Sequence, residues 1–149
     1  LLGVGAGLAT RRFRRIEITG ESMVPALEPG DRVVVVRAGR LRTGDIVACT
    51  DPGNPNRTVV KRVAALPGGY LPLEAGTGLA AGRGYIVLGD NSDASTDSRH
   101  FGPIGANLII GRLIFRYLPE GRAGVISRRS ARFAFETGRR HARSVKKSN

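Results

Sequence analysis

The sequence predicts a mainly β fold, on three observations. From Arg15 to Leu118 the apolar residues fall in short strand-like runs rather than at helical spacing. Those runs are separated by clusters of Gly, Pro, Asn and Asp, and the chain holds 21 Gly and 8 Pro, the density of turn formers that many short strands require. After Pro119 the character changes: residues 125–143 lack Pro, are rich in Arg and Ala, and carry Phe133 and Phe135 among the bases. A basic, partly amphipathic helix is expected in that tail, weakened by Gly138.

Taken in order, the candidate strands are residues 15–18, 32–37, 45–50, 58–65, 70–73, 85–88 and 108–117. Glu28-Pro29-Gly30-Asp31, Asp51-Pro52-Gly53-Asn54 and Leu66-Pro67-Gly68-Gly69 have turn chemistry between them. With 149 residues there is room for one modest core. The expected organisation is a basic segment over 1–14, a β domain over 15–119 and a basic tail over 120–149. The apolar run at 1–9 falls short of the roughly 20 residues that span a bilayer and reads as the stub of a truncated membrane anchor.

Lys and Arg number 24 against 12 Asp and Glu, a formal net charge of +12, so an anionic partner has to be considered. The excess gathers at the ends, in Arg11, Arg12, Arg14 and Arg15 and again from Arg128 to Lys147. Solvated arms or contacts with a membrane surface account for that placement. A basic nucleic-acid-binding β-barrel is the non-enzymatic alternative, but three Tyr, five Phe and no Trp leave little surface on which bases could stack, and no specific nucleic acid is expected. Cys49 is the sole cysteine and the two histidines are far apart, which gives neither an internal disulfide nor a metal site. Its neighbours Ile46, Val47 and Ala48 mark Cys49 as a buried thiol.

Three segments carry chemistry. In the first, Gly20-Glu21-Ser22-Met23-Val24-Pro25-Ala26-Leu27, Ser22 lies between a strand and a turn, where a side chain can face a cleft and its own N–H can stay free for an oxyanion. A lone loop serine is more often simply solvated. In the second, strand alternation over Thr58-Val59-Val60-Lys61-Arg62-Val63 puts Lys61 on the face of Val59 and Val63. Either Lys61 snorkels to water, or burial lowers its pKa and makes it a base for a serine hydroxyl. The third is the polar loop from Gly89 to Pro103, containing Ser95, Asp97, Arg99 and His100, whose short side chains suit a positioning network.

These segments stand in the order of the sequence boxes of signal peptidase I, and the chain resembles that family over most of residues 20–103. Residues 21–27 resemble the nucleophile box, Gly44-Asp45-Ile46-Val47 the strand box, Val60-Lys61-Arg62-Val63 the lysine box and residues 89–102 the Asp-Ser-Arg box. The resemblance implies a signal-peptidase-like antiparallel β core, a partly open barrel. It also implies a serine endopeptidase in which Ser22 attacks the peptide carbonyl and Lys61 takes its proton, with no metal or organic cofactor. Ser95 would orient Lys61, Asp97 and Arg99 would form a structural ion pair, and Gly20, Met23 and Pro25 would shape the substrate groove and oxyanion hole. The partner would be a precursor polypeptide, extended along a strand edge, that loses a signal or leader peptide after small residues. The family's usual place is the bacterial plasma membrane with the catalytic domain on the outer face. Gly20 stands where some members carry a serine that assists the oxyanion hole, and Gly69 where the lysine box often continues into Asp. The stretch from Lys61 to Gly89 leaves no room for a large accessory β-domain.

Three other readings share these residues. Residues 94–103 are also similar to the small proteases that mature nickel superoxide dismutase, which would imply a cytoplasmic enzyme. Self-cleaving repressors resemble the chain in Gly-Glu-Ser-Met and a later lysine, but about twenty residues before Ser22 are too few for their DNA-binding domain. A triad of Ser22, Asp97 and His100 would place the imidazole three residues from its own carboxylate and beside Arg99, which favours a peripheral ring.

Overall fold

The computed structural model describes residues 13–128. Among them are nine strands: β1 (Phe13–Glu17), β2 (Arg32–Val36), β3 (Ile46–Asp51), β4 (Asn54–Ala65), β5 (Tyr70–Pro72), β6 (Gly78–Ala80), β7 (Ile86–Leu88), β8 (Ile109–Leu118) and β9 (Gly124–Val125). A single helical turn, α1 (Ser98–Phe101), follows β7. Every stretch expected as a strand contributes to one. β4 starts earlier than expected because the Asp51 carboxylate takes the Gly53 N–H at 2.9 Å and closes a tight hairpin into Asn54.

Two strands were not expected. β6 is Gly-Leu-Ala and carries no β-branched residue to mark it, and β9 has two residues. β9 pairs with Phe115 and Arg116 of β8, so the sheet extends past the boundary expected at Pro119. Val125, where a helix was expected to begin, is a strand residue; the rest of that helix beyond Arg128, and the apolar run at 1–9, lie outside the described residues. Among the described residues no helix is long and apolar enough to cross a membrane.

Seven strands form an antiparallel sheet in the order β1-β2-β8-β3-β4-β7, with β9 added to β8, and the sheet is not closed. β5 and β6 form a separate hairpin around a 3-10 turn at Glu74–Gly76, and with β7 they are the strands between the end of β4 and Gly89. The sheet has a core on each side, and β3 is common to both. Ile46 and Ala48 join Ile18, Met23, Leu27, Val33, Val35 and Leu113 on one face. Val47 and Cys49 join Leu41, Val63, Val87 and Ile104 on the other. The unbroken apolar run Ile46-Val47-Ala48-Cys49 is what burial on both faces demands.

Buried carboxylates fasten the loops to the sheet. Pro29 and Gly30 occupy the middle of a turn closed by Asp31 N–H on Glu28 O at 3.0 Å, and Gly30 supplies the φ of +89° that the second middle position requires. Asp31, 1% exposed, receives the Glu28 N–H at 2.9 Å, Arg116 at 3.0 Å and Arg122 at 2.7 Å. Asp45 receives the Arg42 N–H at 2.8 Å and Arg128 at 2.6 Å. Removing one member of such a group strands the remaining charges, at a cost of about 3–5 kcal/mol, whereas an exposed pair contributes less than about 1 kcal/mol. Asp31→Ala is therefore expected to lose about 3 kcal/mol or more in urea unfolding, and Glu17→Ala, which breaks the exposed Glu17–Arg32 pair, less than about 1 kcal/mol. Equal losses in the two variants would contradict this assignment of Asp31.

Candidate active site

Ser22 owes its position to the residues around it. β1 ends at Glu17, and Ile18 is clamped between the Asp31 carbonyl, at 2.8 Å from its N–H, and the Gly30 N–H, at 2.7 Å from its carbonyl. The chain then turns, and Met23 and Leu27, each 1% exposed, sink into the core from one side of the turn. Ser22 is thereby left half-buried with its side chain toward β4. Among the described residues the Ser22 N–H donates to no acceptor.

Lys61 lies on β4 with its Nζ 3.0 Å from Ser22 Oγ, and the residue is 3% exposed. Of the two readings open to Lys61, snorkelling is thus excluded. Burial pushes its pKa down from 10.5, because desolvation disfavours the ammonium form; the Asp97 and Asp51 carboxylates act in the opposite sense, and Arg57 reinforces burial. Alternation would turn Arg62 to solvent, yet it is 5% exposed, since β4 is covered on both faces here. Cys49, on neighbouring β3, is pushed up to about 11 by burial and stays a thiol.

Asp97 is the hub of the third segment. Its Oδ2 accepts from Gly89 N–H at 2.9 Å, Ser95 Oγ at 2.9 Å and Arg99 Nη2 at 2.6 Å, while Oδ1 accepts from Arg99 Nε at 2.9 Å. Burial pushes this carboxyl up, but the hydrogen bonds from Arg99, Gly89 and Ser95 outweigh it and hold Asp97 below the usual carboxylate range. The same carboxylate raises the pKa of Arg99, chiefly through their hydrogen bonds. Asp97 also caps α1, and the adjacent Ser98 takes the Val87 N–H at 2.9 Å, which docks α1 on β7. His100 Nδ1 accepts the Asp97 N–H at 3.3 Å with its side chain 58% exposed, so its ring closes the capping box rather than facing Ser22. The Ser95 hydroxyl spends its proton on Asp97, and that leaves its lone pairs for another donor.

Other residues that shape the site were not singled out in the sequence. A Cβ on Gly89 would come within 2.2 Å of Ser95 Oγ and 2.7 Å of Ser22 O, so only glycine lets these two segments meet. The Asn91 N–H donates to Ser22 O at 2.9 Å, and its side-chain amide reaches Glu21 O at 3.3 Å. Arg62 makes a bidentate pair with Asp90, at 2.7 and 2.6 Å, and donates to Gly44 O at 2.8 Å. The lysine strand, the 89–91 loop and the nucleophile loop are thus linked in one circuit. A glycine ending an apolar strand was the only sequence signal for it.

A cleft of about 310 Å³ opens over Ser22 and Lys61, walled by Ile16, Ile18, Met23, Val59, Val60, Ala94 and Phe101. Gly20 lines it with nothing within 4 Å of an added Cβ, whereas Pro25 is exposed in the turn and is not part of the wall. The cleft runs between two strand edges. β1 pairs only with β2, and β7 covers β4 only from Arg62 onward, so among the described strands none pairs with the other edge of β4 from Asn54 to Lys61.

Comparison with known proteins bears on this geometry. The family model described as "Signal peptidase, peptidase S26" matches residues 1–77 and 69–118. The chain is 36% identical over 115 residues to the mitochondrial ATP-independent inner membrane protease subunit 1a of Arabidopsis thaliana, covering 68% of each chain. Against the mouse mitochondrial inner membrane protease subunit 1 it is 33% identical over 118 residues, covering 72% of this chain and 71% of the relative. The signal peptidase I of Leptolyngbya laminosa is 30% identical over 157 residues, with 83% and 75% covered. An antiparallel β sheet that sets a serine against a buried lysine, in a chain matched by this family over its whole sheet except β9, leads to one assignment: the chain belongs to the signal peptidase (peptidase S26) family and is a serine peptidase.

Proposed function

We propose that this enzyme removes N-terminal signal or leader segments from precursor polypeptides by a Ser-Lys mechanism, with Ser22 as nucleophile and Lys61 as general base. The observation that carries the proposal is the 3.0 Å contact between a buried amine and a half-buried hydroxyl. Desolvation favours the neutral amine, which can take the Ser22 proton as Oγ attacks the scissile carbonyl. The Ser22 N–H is available to the oxyanion, and the Asn91 side-chain amide, which donates to Glu21 O at 3.3 Å, supports the peptide unit that carries it. Lys61, now protonated, gives its proton to the leaving amine; it then deprotonates the water that releases the acyl group. Ser95, with its own proton on Asp97, offers an acceptor that orients a Lys61 N–H.

The short apolar walls of the cleft suit small side chains before the cleaved bond, and the two free strand edges suit an extended chain. The catalytic unit on this reading is the stretch from β1 through β9. Its place of work is a membrane, the outer face of the bacterial plasma membrane, with the basic clusters at the ends of the chain meeting anionic headgroups.

Ser22→Ala and Lys61→Ala are each expected to lower kcat/KM on a small-residue-site peptide by roughly 10³-fold or more. In the wild type the acid limb of the pH profile should fall below the ordinary lysine range, because activity is lost as Lys61 protonates. Full activity in either variant would refute the dyad.

Lys61 also makes a stability prediction. The folded protein releases the Lys61 proton at a lower pH than the unfolded chain, which does so near 10.5. Between those values the unfolded chain holds the extra proton, so stability rises with pH across that window, and the penalty for burying Lys61 is full below it. Lys61→Met is therefore expected to be more stable than wild type at neutral pH, by on the order of 1 kcal/mol, with the gap closing toward pH 10.5. Thermal unfolding of both proteins across pH checks this; a constant gap would show that burial of the charge is not its origin.

A further inference from the structure

The Ser22 N–H, which donates to no acceptor among the described residues, belongs to the peptide unit whose carbonyl is Glu21 O. Gly20, beside it in the cleft, brings no side-chain donor. Asn91 engages both sides of Ser22. Its own N–H donates to Ser22 O at 2.9 Å, and its side-chain amide donates to Glu21 O at 3.3 Å. These bonds hold the peptide units before and after the nucleophile, and with them the direction in which the Ser22 N–H points.

The segment that presents Asn91 is anchored without that side chain. The Gly89 N–H is bound to Asp97 at 2.9 Å, and Asp90 is gripped by Arg62 at 2.7 and 2.6 Å. The Asn91 carbonyl accepts the Ala94 N–H at 3.2 Å. The side-chain amide can therefore be removed while the backbone around it stays in place. Asn91 is not part of the cleft wall, so its amide reaches the reacting atoms only through the Glu21–Ser22 peptide.

A relay of this kind is stronger in the transition state than in the ground state. As charge builds on the scissile oxygen, the Ser22 N–H donates more strongly, electron density moves onto Glu21 O, and the bond from Asn91 strengthens with it. At 3.3 Å that bond is long in the free enzyme and has room to shorten as the charge develops. We infer that the Asn91 side chain is a positioning residue of the oxyanion site, which orients and polarises the Ser22 N–H through Glu21 O. The inference rests on the Ser22 nucleophile proposed above, and it adds a residue whose effect falls on kcat and not on KM.

Asn91→Ala and Asn91→Leu test it, the second of nearly the same shape as Asn without a donor, and neither changing the charge near Lys61. On the small-residue-site peptide both are expected to lose about fivefold in kcat, the size of one neutral hydrogen bond, with KM and the acid limb of the pH profile unmoved. Two inhibitors of the same sequence separate the states. The carbonyl of a peptide aldehyde takes Ser22 Oγ, the serine proton passing to Lys61, and leaves an anionic oxygen at the Ser22 N–H; it should bind both variants about fivefold more weakly. The matching peptide alcohol forms no oxyanion and should bind them as it binds wild type. Wild-type kcat in both variants, or equal weakening of aldehyde and alcohol, would overturn the assignment, as would a rise in KM or a shifted acid limb, which would place Asn91 in the groove or behind Lys61. A loss of kcat that tracks a smaller folded fraction, read by circular dichroism of the same samples, would make Asn91 a folding residue and overturn it as well. No cleavage of the peptide by wild type would bring down the peptidase reading and this inference together.

Discussion

Holding the Lys61 amine away from water beside Ser22 is the constraint on which the surrounding architecture turns. Desolvation penalises the charged amine, and the position is covered on both faces of β4 while one edge stays unpaired among the described strands. The sheet achieves this through where its pairing stops. β3 pairs with β4 from Asn54 to Arg62, whereas β7 joins only from Arg62, one residue past the lysine. Had β7 reached further, the edge beside Lys61 would be filled by protein.

Two nearby ionisable groups are driven to opposite protonation preferences by opposite means. Asp97 is fully buried yet ionised, because five hydrogen-bond donors converge on it, including the bidentate Arg99 guanidinium. Lys61 is nearly as buried, and burial dominates its pKa. The charge of Asp97 partly counters that burial, so the amine is kept from being pushed down without limit.

The strongly basic composition has a more mixed origin than clusters at the chain ends. Arg62, Arg99, Arg116 and Arg122 are engaged with buried or partly buried carboxylates, and Arg128, counted with the basic tail, pairs with Asp45. These arginines fasten loops to the sheet and take no part in a free basic surface. The same economy explains how Asp31 and Asp45 tolerate burial: each has a backbone N–H and at least one guanidinium.

Much of this was legible in the sequence, for reasons that are local. Alternating apolar runs, with Pro-Gly and Asp-Pro-Gly turns between them, locate a strand without reference to the rest of the chain, and seven strands were found in that way. The order of the Ser22, Lys61 and Asp97 segments pointed to the family. What remained depends on contacts across large sequence separations. Gly-Leu-Ala becomes β6 only because Tyr70–Pro72 lies beside it. Arg62 is buried, against the alternation of its strand, only because Asp90 comes to meet it 28 residues later. Gly89 has to be glycine because Ser22 and Ser95 converge there. By itself the sequence determined seven of the nine described strands, the chemical types at the site and the family. The tertiary structure alone decided that Lys61 is dry, that its amine meets Ser22 and that Pro25 stays off the cleft wall, because desolvation and distance arise only when separate segments pack together.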